Sequence, residues 1–476
     1  MLSEEQAKET PDQLAEDTRL LADILEETPI DDEGDPDDPH LQSSLYSMKS
    51  SQKMESSASI GAMTLVKYVI ALGILALPYV AARVGIVPAW ILIITVGYLN
   101  LYSLRLLDSV ASSVNLQKVD VGRLCERVSR NLKFRHFAEF NLHIMCVGAC
   151  ISDIVFISKY ISQSSCVLGW VFCDRTWLQF VLILVLVLPV MTITDIHYLA
   201  YPNTIALIFQ IMFVITFIVA SISLIETNGV ASGGLEAALT KFDYSALPCA
   251  FTTILFSYEG VGVFFEIRSS VKESSELMKM LNWGFVLSAV IYIIFGTVSV
   301  LAYGDATESI IFLNLNQRNT FFIIIEFGYL VAIILGIPTG LFSITRIIEN
   351  YQIFRSFIQD ENKKGTKSKW KRQLIRLPLA TLICGTAMII PSFNSFLSFL
   401  SGINFTIMTC VIPVILYYIQ FKNDPDRRFK RLMNWFVLGI GIVLGAIATV
   451  QSVMEMVNPT TSTTAGGTTT TSTYAG

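Results

Sequence analysis

Residues 69–85 read VIALGILALPYVAARVG. The stretch is apolar enough to cross a bilayer, yet Gly73 stands in its middle and Pro78 follows five residues later, both poor occupants of a straight helix interior. A membrane span written this way is expected to break. Its neighbours show why a break would be useful.

The chain of 476 residues is 53% hydrophobic with a mean hydropathy of +0.56, and holds many runs near the ~20 residues a spanning helix needs. That composition predicts a polytopic membrane protein. It leaves no soluble catalytic domain, and neither an enzyme nor a nucleic-acid partner is expected. The first 38 residues carry 15 Asp and Glu against Lys8 and Arg19, without the basic start and apolar run of a secretory leader. Span 1 is therefore expected to be its own insertion signal. DDEGDPDDP (31–39) holds too little apolar surface to offset ordering entropy, and residues 1–52 read as a disordered acidic tail. Residues 457–476, rich in Thr, read as a second solvated tail.

Hydropathy and turn residues divide 53–456 into eleven spans at 59–83, 88–111, 137–161, 177–195, 202–225, 247–268, 279–303, 319–345, 373–390, 394–420 and 432–456. With the N-terminus cytosolic, the inward loops hold 23 Lys and Arg, and the outward loops only Arg175, Lys241 and Arg318. The positive-inside bias fixes that orientation as the expectation. Cys166 and Cys173 then share an outward loop, as a disulfide or as two free thiols. The eight cysteines show no metal-ligand spacing, and no metal is expected.

Span 6, LPCAFTTILFSYEGVGVFFEI, is interrupted like span 1, with Ser257, Glu259, Gly260 and Gly262 near its centre. Spans 1 and 6 lie five apart. Paired interrupted spans in matching positions point to a five-plus-five inverted repeat with a site at the midplane, span 11 being appended. Irregular backbone at that depth survives only where it lines a cavity or is buried in protein. The outer half of span 1 would begin near Gly73, Ile74 and Leu75, presenting N–H groups to a carboxylate. Carbonyls near Ile70, Ala71 and Leu72, and near Phe256, Ser257 and Tyr258 beside Gly260, would face an ammonium. One cationic and one anionic end describe an amino-acid zwitterion. For a single glycine, close helix packing would be the plainer reading.

These residues carry a family resemblance. KYVIALGILALPYVAARVG resembles the first-span signature of the amino acid/auxin permease family, roughly G-x-G-I-L-x-L-P-Y and a later Gly. FSYEGVGVFFEIRSSVKES, AYGDATESIIFLNL and IIPSFNSFLSFLSGINFTIMTCVIPVILYY match further segments in the same order. The closest likeness is to the proton-coupled and vacuolar neutral amino acid transporters. The resemblance implies eleven spans, a cytosolic N-terminus and amino-acid transport with H+ as the coupling ion and no other cofactor. Ala71 replaces the first glycine of the pattern, which narrows the room at the break.

Ionisable groups inside spans are costly and are functional candidates by default. Glu259, Asp153 and Glu326 are the carboxyls of interest for a coupling proton; Glu259 would equally cap the inner half-helix of span 6. EDTRLL, with Glu16 four residues before Leu20 and Leu21, fits the acidic dileucine pattern read by sorting adaptors, or the apolar face of a short helix. The reading is a proton-coupled transporter of small neutral amino acids in a vacuolar, lysosomal or plasma membrane, its tail open to an adaptor or signalling partner. The alternative is an amino-acid sensor that binds substrate and signals through the tail.

Overall fold

A computed structural model describes residues 72–114, 120–167, 169–170, 175–191, 200–231, 235–270, 274–315, 320–350, 366–422 and 428–458. All fall in the compact unit Ser56–Gly476. Glu16, Leu20, Leu21, Ile70, Ala71 and Cys173 lie outside the described residues.

The described residues are helical with no strand. Six helices are long and apolar enough to cross a membrane, and five shorter apolar helices occupy the places of spans 1, 4, 6, 8 and 9. Span 1 is described from Leu72, as a 3-10 turn, Leu72–Ala76, followed by a helix, Leu77–Val84. Span 2 is Ile86–Ser113, span 3 Leu132–Val167, span 4 Thr176–Met191 and span 5 Ala200–Asn228. Span 6 is split into Leu247–Ser257 and Val261–Ser270. Span 7 is Ser274–Tyr303, span 8 Thr320–Asn350, span 9 Thr366–Ile389 and span 11 Arg428–Val457. Span 10 runs from Phe393 to Gln420 with two π-helical turns, Ser401–Phe405 and Ile407–Val411, in its middle.

Several helices outrun their expected spans because polar residues extend them beyond the apolar run: span 3 begins at Leu132 rather than 137, and span 9 at Thr366 rather than 373. Gly85 alone joins spans 1 and 2. Its φ of 101° is open to glycine, and its N–H closes span 1 on the Ala81 carbonyl at 2.9 Å. The short helix Val121–Ser129 precedes span 3, capped by Asp120 and pinned where Arg135 pairs with Glu126 at 2.8 Å and Glu139 at 2.7 Å.

The packing has the symmetry of an inverted repeat. Span 1 packs on span 7 as span 6 packs on span 2, and span 5 on span 8 as span 10 on span 3. Likewise, span 7 packs on span 5 as span 2 on span 10, and span 3 on span 9 as span 8 on span 4. Exchanging each span with the one five later leaves these pairings unchanged. An offset of five reverses direction across the membrane, so the repeat is inverted. Span 11 stands outside the symmetry, against the outer half of span 6 and against span 10.

Span 11 approaches span 10 through small residues. A Cβ at Gly402 would lie 2.8 Å from the Gly445 carbonyl oxygen, and one at Gly445 would lie 2.6 Å from the Gly402 carbonyl oxygen. Gly441, Gly445 and Thr449 form the facing stripe, a small-xxx-small pattern that suits association in lipid. Gly402→Val should therefore lower stability by roughly 1–3 kcal/mol through overpacking, read as a lower thermal midpoint in detergent. An unchanged midpoint would mean the two spans separate without cost.

Candidate functional site

The outer half of span 6 ends because SYEG offers no apolar continuation. The Tyr258 N–H still reaches the Ile254 carbonyl at 3.1 Å, the Glu259 N–H bends back to the Phe256 carbonyl at 3.3 Å, and the helix restarts at Val261. Glu259 caps the restart: its Oε1 accepts the Gly262 N–H at 2.7 Å. A freed carbonyl on the other side, that of Ser257, accepts the Tyr292 hydroxyl of span 7 at 2.6 Å. Span 1 solves the same problem differently. Its described part opens on a 3-10 turn, and Pro78 falls in the first turn of the helix that follows, where its missing N–H costs nothing.

The two breaks meet. A Cβ on Gly73 would lie 2.6 Å from the Ser257 Cα and 2.7 Å from its Oγ, so the spans touch backbone to backbone. Gly73, Ile74 and Leu75 are buried there, as are Phe256, Ser257, Tyr258 and Gly260. The close-packing role of Gly73 is thus what joins the two breaks. Ser257 turns its hydroxyl back on the Thr253 carbonyl at 3.1 Å, and Phe256 packs on Phe405 in the first π-helical turn of span 10, ring centroids 5.0 Å apart. Thr252 bonds Ser398 of span 10 at 2.6 Å. π-Helical turns recur at functional sites because they re-aim side chains within a helix.

The three candidate carboxyls are strung out rather than gathered. Glu259 is at the break, where Met145 of span 3 lies against Gly262. Asp153, half-buried, is eight residues further along span 3, about 12 Å by helix rise. Glu326 of span 8 is 1% exposed and faces Tyr160 of span 3. A T-shaped aromatic cluster joins spans 3 and 8 there: Phe156 meets Phe312 at 5.2 Å and Tyr329 at 5.9 Å.

Two further side-chain groups stand in this region. Asn100 of span 2 is fully buried beside Gly260, and the Tyr258 hydroxyl lies against Gly97; neither the amide nor the hydroxyl has a hydrogen-bond partner. The signal for Asn100 in the sequence is an asparagine standing within an apolar span. Tyr292 carried no local signal.

Outside the break, a cavity of about 260 Å³ opens between the outer halves of spans 1 and 6 and the ends of spans 10 and 11. At the opposite end, Arg268 of span 6 pairs with Asp108 of span 2 at 3.0 Å, both nearly buried. Cys166 is disulfide-bonded. Among the described residues no three His, Cys, Asp or Glu side chains gather as a metal site.

Comparison with known proteins agrees with this geometry. The family model described as transmembrane amino acid transporter protein matches residues 54–454. The chain belongs to this family of amino acid transporters. It is 26% identical over 250 residues to vacuolar amino acid transporter 3 of Saccharomyces cerevisiae, covering 52% of this chain and 35% of that protein. With vacuolar amino acid transporter 3 of Schizosaccharomyces pombe it shares 24% identity over 424 residues, 86% of this chain and 61% of the relative. The chain thus spans less than two thirds of either yeast relative. The crystal structure of MhsT in complex with L-phenylalanine superposes with a TM-score of 0.53 at 12% identity, over 83% of this chain and 98% of that one. The two chains share a fold.

Gly73→Val should cut transport at least about tenfold, since the side chain must part the two breaks by displacing backbone rather than a flexible side chain. Gly73→Ala should lie between it and wild type. Normal uptake by the valine variant would show that the contact is not needed.

Proposed function

We propose that the protein is a secondary active transporter of small neutral amino acids, coupled to protons and working by alternating access around the facing breaks of spans 1 and 6. The observation that carries this reading is the backbone contact of Gly73 with Ser257, which sets two interrupted helices against each other at bilayer depth. Family membership supports amino acids as the substrate class. The yeast relatives, named as vacuolar, support a vacuolar or lysosomal membrane.

The carboxyls divide by environment. Glu259 has an N–H donor fixed on its carboxyl, whereas Glu326 is buried beside Tyr160. An ionisable group inside a span is costly to charge, and Glu326, which no cap explains, is the carboxyl assigned the coupling proton. Loading and unloading of a proton there biases access only if the two states differ in affinity for it.

Uptake of labelled L-alanine into proteoliposomes, with and without an imposed pH gradient, tests the reading. Wild type should accumulate substrate only with the gradient. Binding without accumulation would favour the sensor. Glu326→Gln should still exchange amino acid but lose most gradient-driven accumulation. Glu259→Gln keeps the size and acceptor of the cap, and should lose accumulation only if Glu259 also carries the proton. Full accumulation by both variants would leave Asp153 as the remaining carboxyl. For location, Leu20→Ala with Leu21→Ala should shift a fluorescent fusion from internal membranes to the cell surface; an unchanged distribution would remove the dileucine signal.

A further inference from the structure

The cavity at the outer end holds charges that no step above uses. Arg83, at the end of span 1, and Glu455, near the end of span 11, face each other with Nη2 and Oε1 3.6 Å apart, both substantially exposed. That is wider than the ~2.7–2.9 Å of a charge-assisted hydrogen bond. Each charge is held mainly by something else. Glu455 Oε2 accepts the Ser395 hydroxyl of span 10 at 2.7 Å, and the Arg83 guanidinium lies over the Tyr79 ring, 5.6 Å from its centroid. One cation and one anion are thus fixed side by side at the rim of the cavity without closing on each other.

The remaining walls suit a small molecule. Gln451 and Asn394 add amides, and Val80 and Met454 add apolar surface. At about 260 Å³ the cavity falls just below the range of roughly 300–1,000 Å³ typical of ligand sites, which excludes bulky ligands. A group needing a cation and an anion a few ångströms apart, with a short apolar side chain, is a zwitterionic small amino acid. Arg83 lies ten residues beyond Gly73, about 15 Å by helix rise, so this place is separate from the breaks.

We propose that the outer cavity is a second, low-affinity binding site for a small zwitterionic amino acid, with Arg83 receiving the carboxylate and Glu455 the ammonium. From the proposed function the site takes only its ligand class. Because both charges are solvated, the affinity is weak, near the millimolar range. Spans 1 and 6 both contribute walls, so a bound amino acid favours whichever access state keeps this cavity open.

The test is L-alanine binding to the purified full chain in detergent, followed by saturation-transfer NMR. Wild type should show a tighter and a weaker class of site. Glu455→Gln, which can still accept from Ser395, and Val80→Trp, which fills the cavity without touching a charge, should each weaken the second class at least about tenfold and leave the first. Gly73→Val should do the reverse. Thermal midpoints near wild type for Glu455→Gln and Val80→Trp show that they fold. The proposal is overturned if wild type has one class, or if the weaker class survives both Glu455→Gln and Val80→Trp. If Gly73→Val keeps the tighter class while Glu455→Gln loses the weaker, the central reading fails and the outer site stands.

Discussion

Everything in this fold turns on backbone left unpaired at bilayer depth. A helix that stops in the membrane frees amides and carbonyls that lipid cannot satisfy, each at a cost of several kcal/mol. Span 6 answers with parts drawn from two places: the Glu259 carboxylate for the Gly262 amide, and the Tyr292 hydroxyl for the Ser257 carbonyl. Span 1 answers with a 3-10 turn and a proline that has no amide to satisfy. Once both breaks are capped they can be pressed together, and only a glycine at 73 allows the approach to Ser257. The surrounding spans then pair in an inverted order that encloses this contact from two sides.

The ends of the broken spans show a related asymmetry. Each finishes in an arginine, Arg83 for span 1 and Arg268 for span 6. The two positions correspond under the repeat, yet their pairings differ. Arg268 and Asp108 are in direct contact at 3.0 Å and nearly buried, whereas Arg83 and Glu455 stand 3.6 Å apart in the open. Removing one member of the buried pair would strand the other, a loss of about 3–5 kcal/mol; the exposed pair contributes about 0–1 kcal/mol. The second half of span 6 is thus held by a buried pair and the described half of span 1 by an exposed one. Span 11 supplies Glu455 and lies outside the repeat, so the symmetry could not be complete at that end.

Much of the fold was legible in the sequence because the bilayer leaves few choices. Apolar run length and the placement of Gly73, Pro78 and Gly260 point to eleven spans with two of them broken, and the described helices fall where those runs lie. What was not legible depends on partners distant in the chain. Tyr292 is 35 residues from the carbonyl it caps. The contact of Gly73 with Ser257 joins the two halves of the repeat, and nothing local distinguishes it from ordinary glycine packing. The π-helical turns of span 10 arise in SGINFTIMTCV, a sequence whose periodicity reads as plain helix.

Asn100 and Tyr258 carry the physical consequence furthest. Both are buried where span 2 meets the break, and the asparagine amide and tyrosine hydroxyl are left without hydrogen bonds. An unpaired buried polar group costs on the order of 1–3 kcal/mol, comparable to the free-energy differences that separate two conformations of one protein. The two faces of span 6 therefore differ in kind: toward span 7 its freed carbonyl is capped by the Tyr292 hydroxyl, and toward span 2 it meets the polar side chain of Asn100 across Gly260.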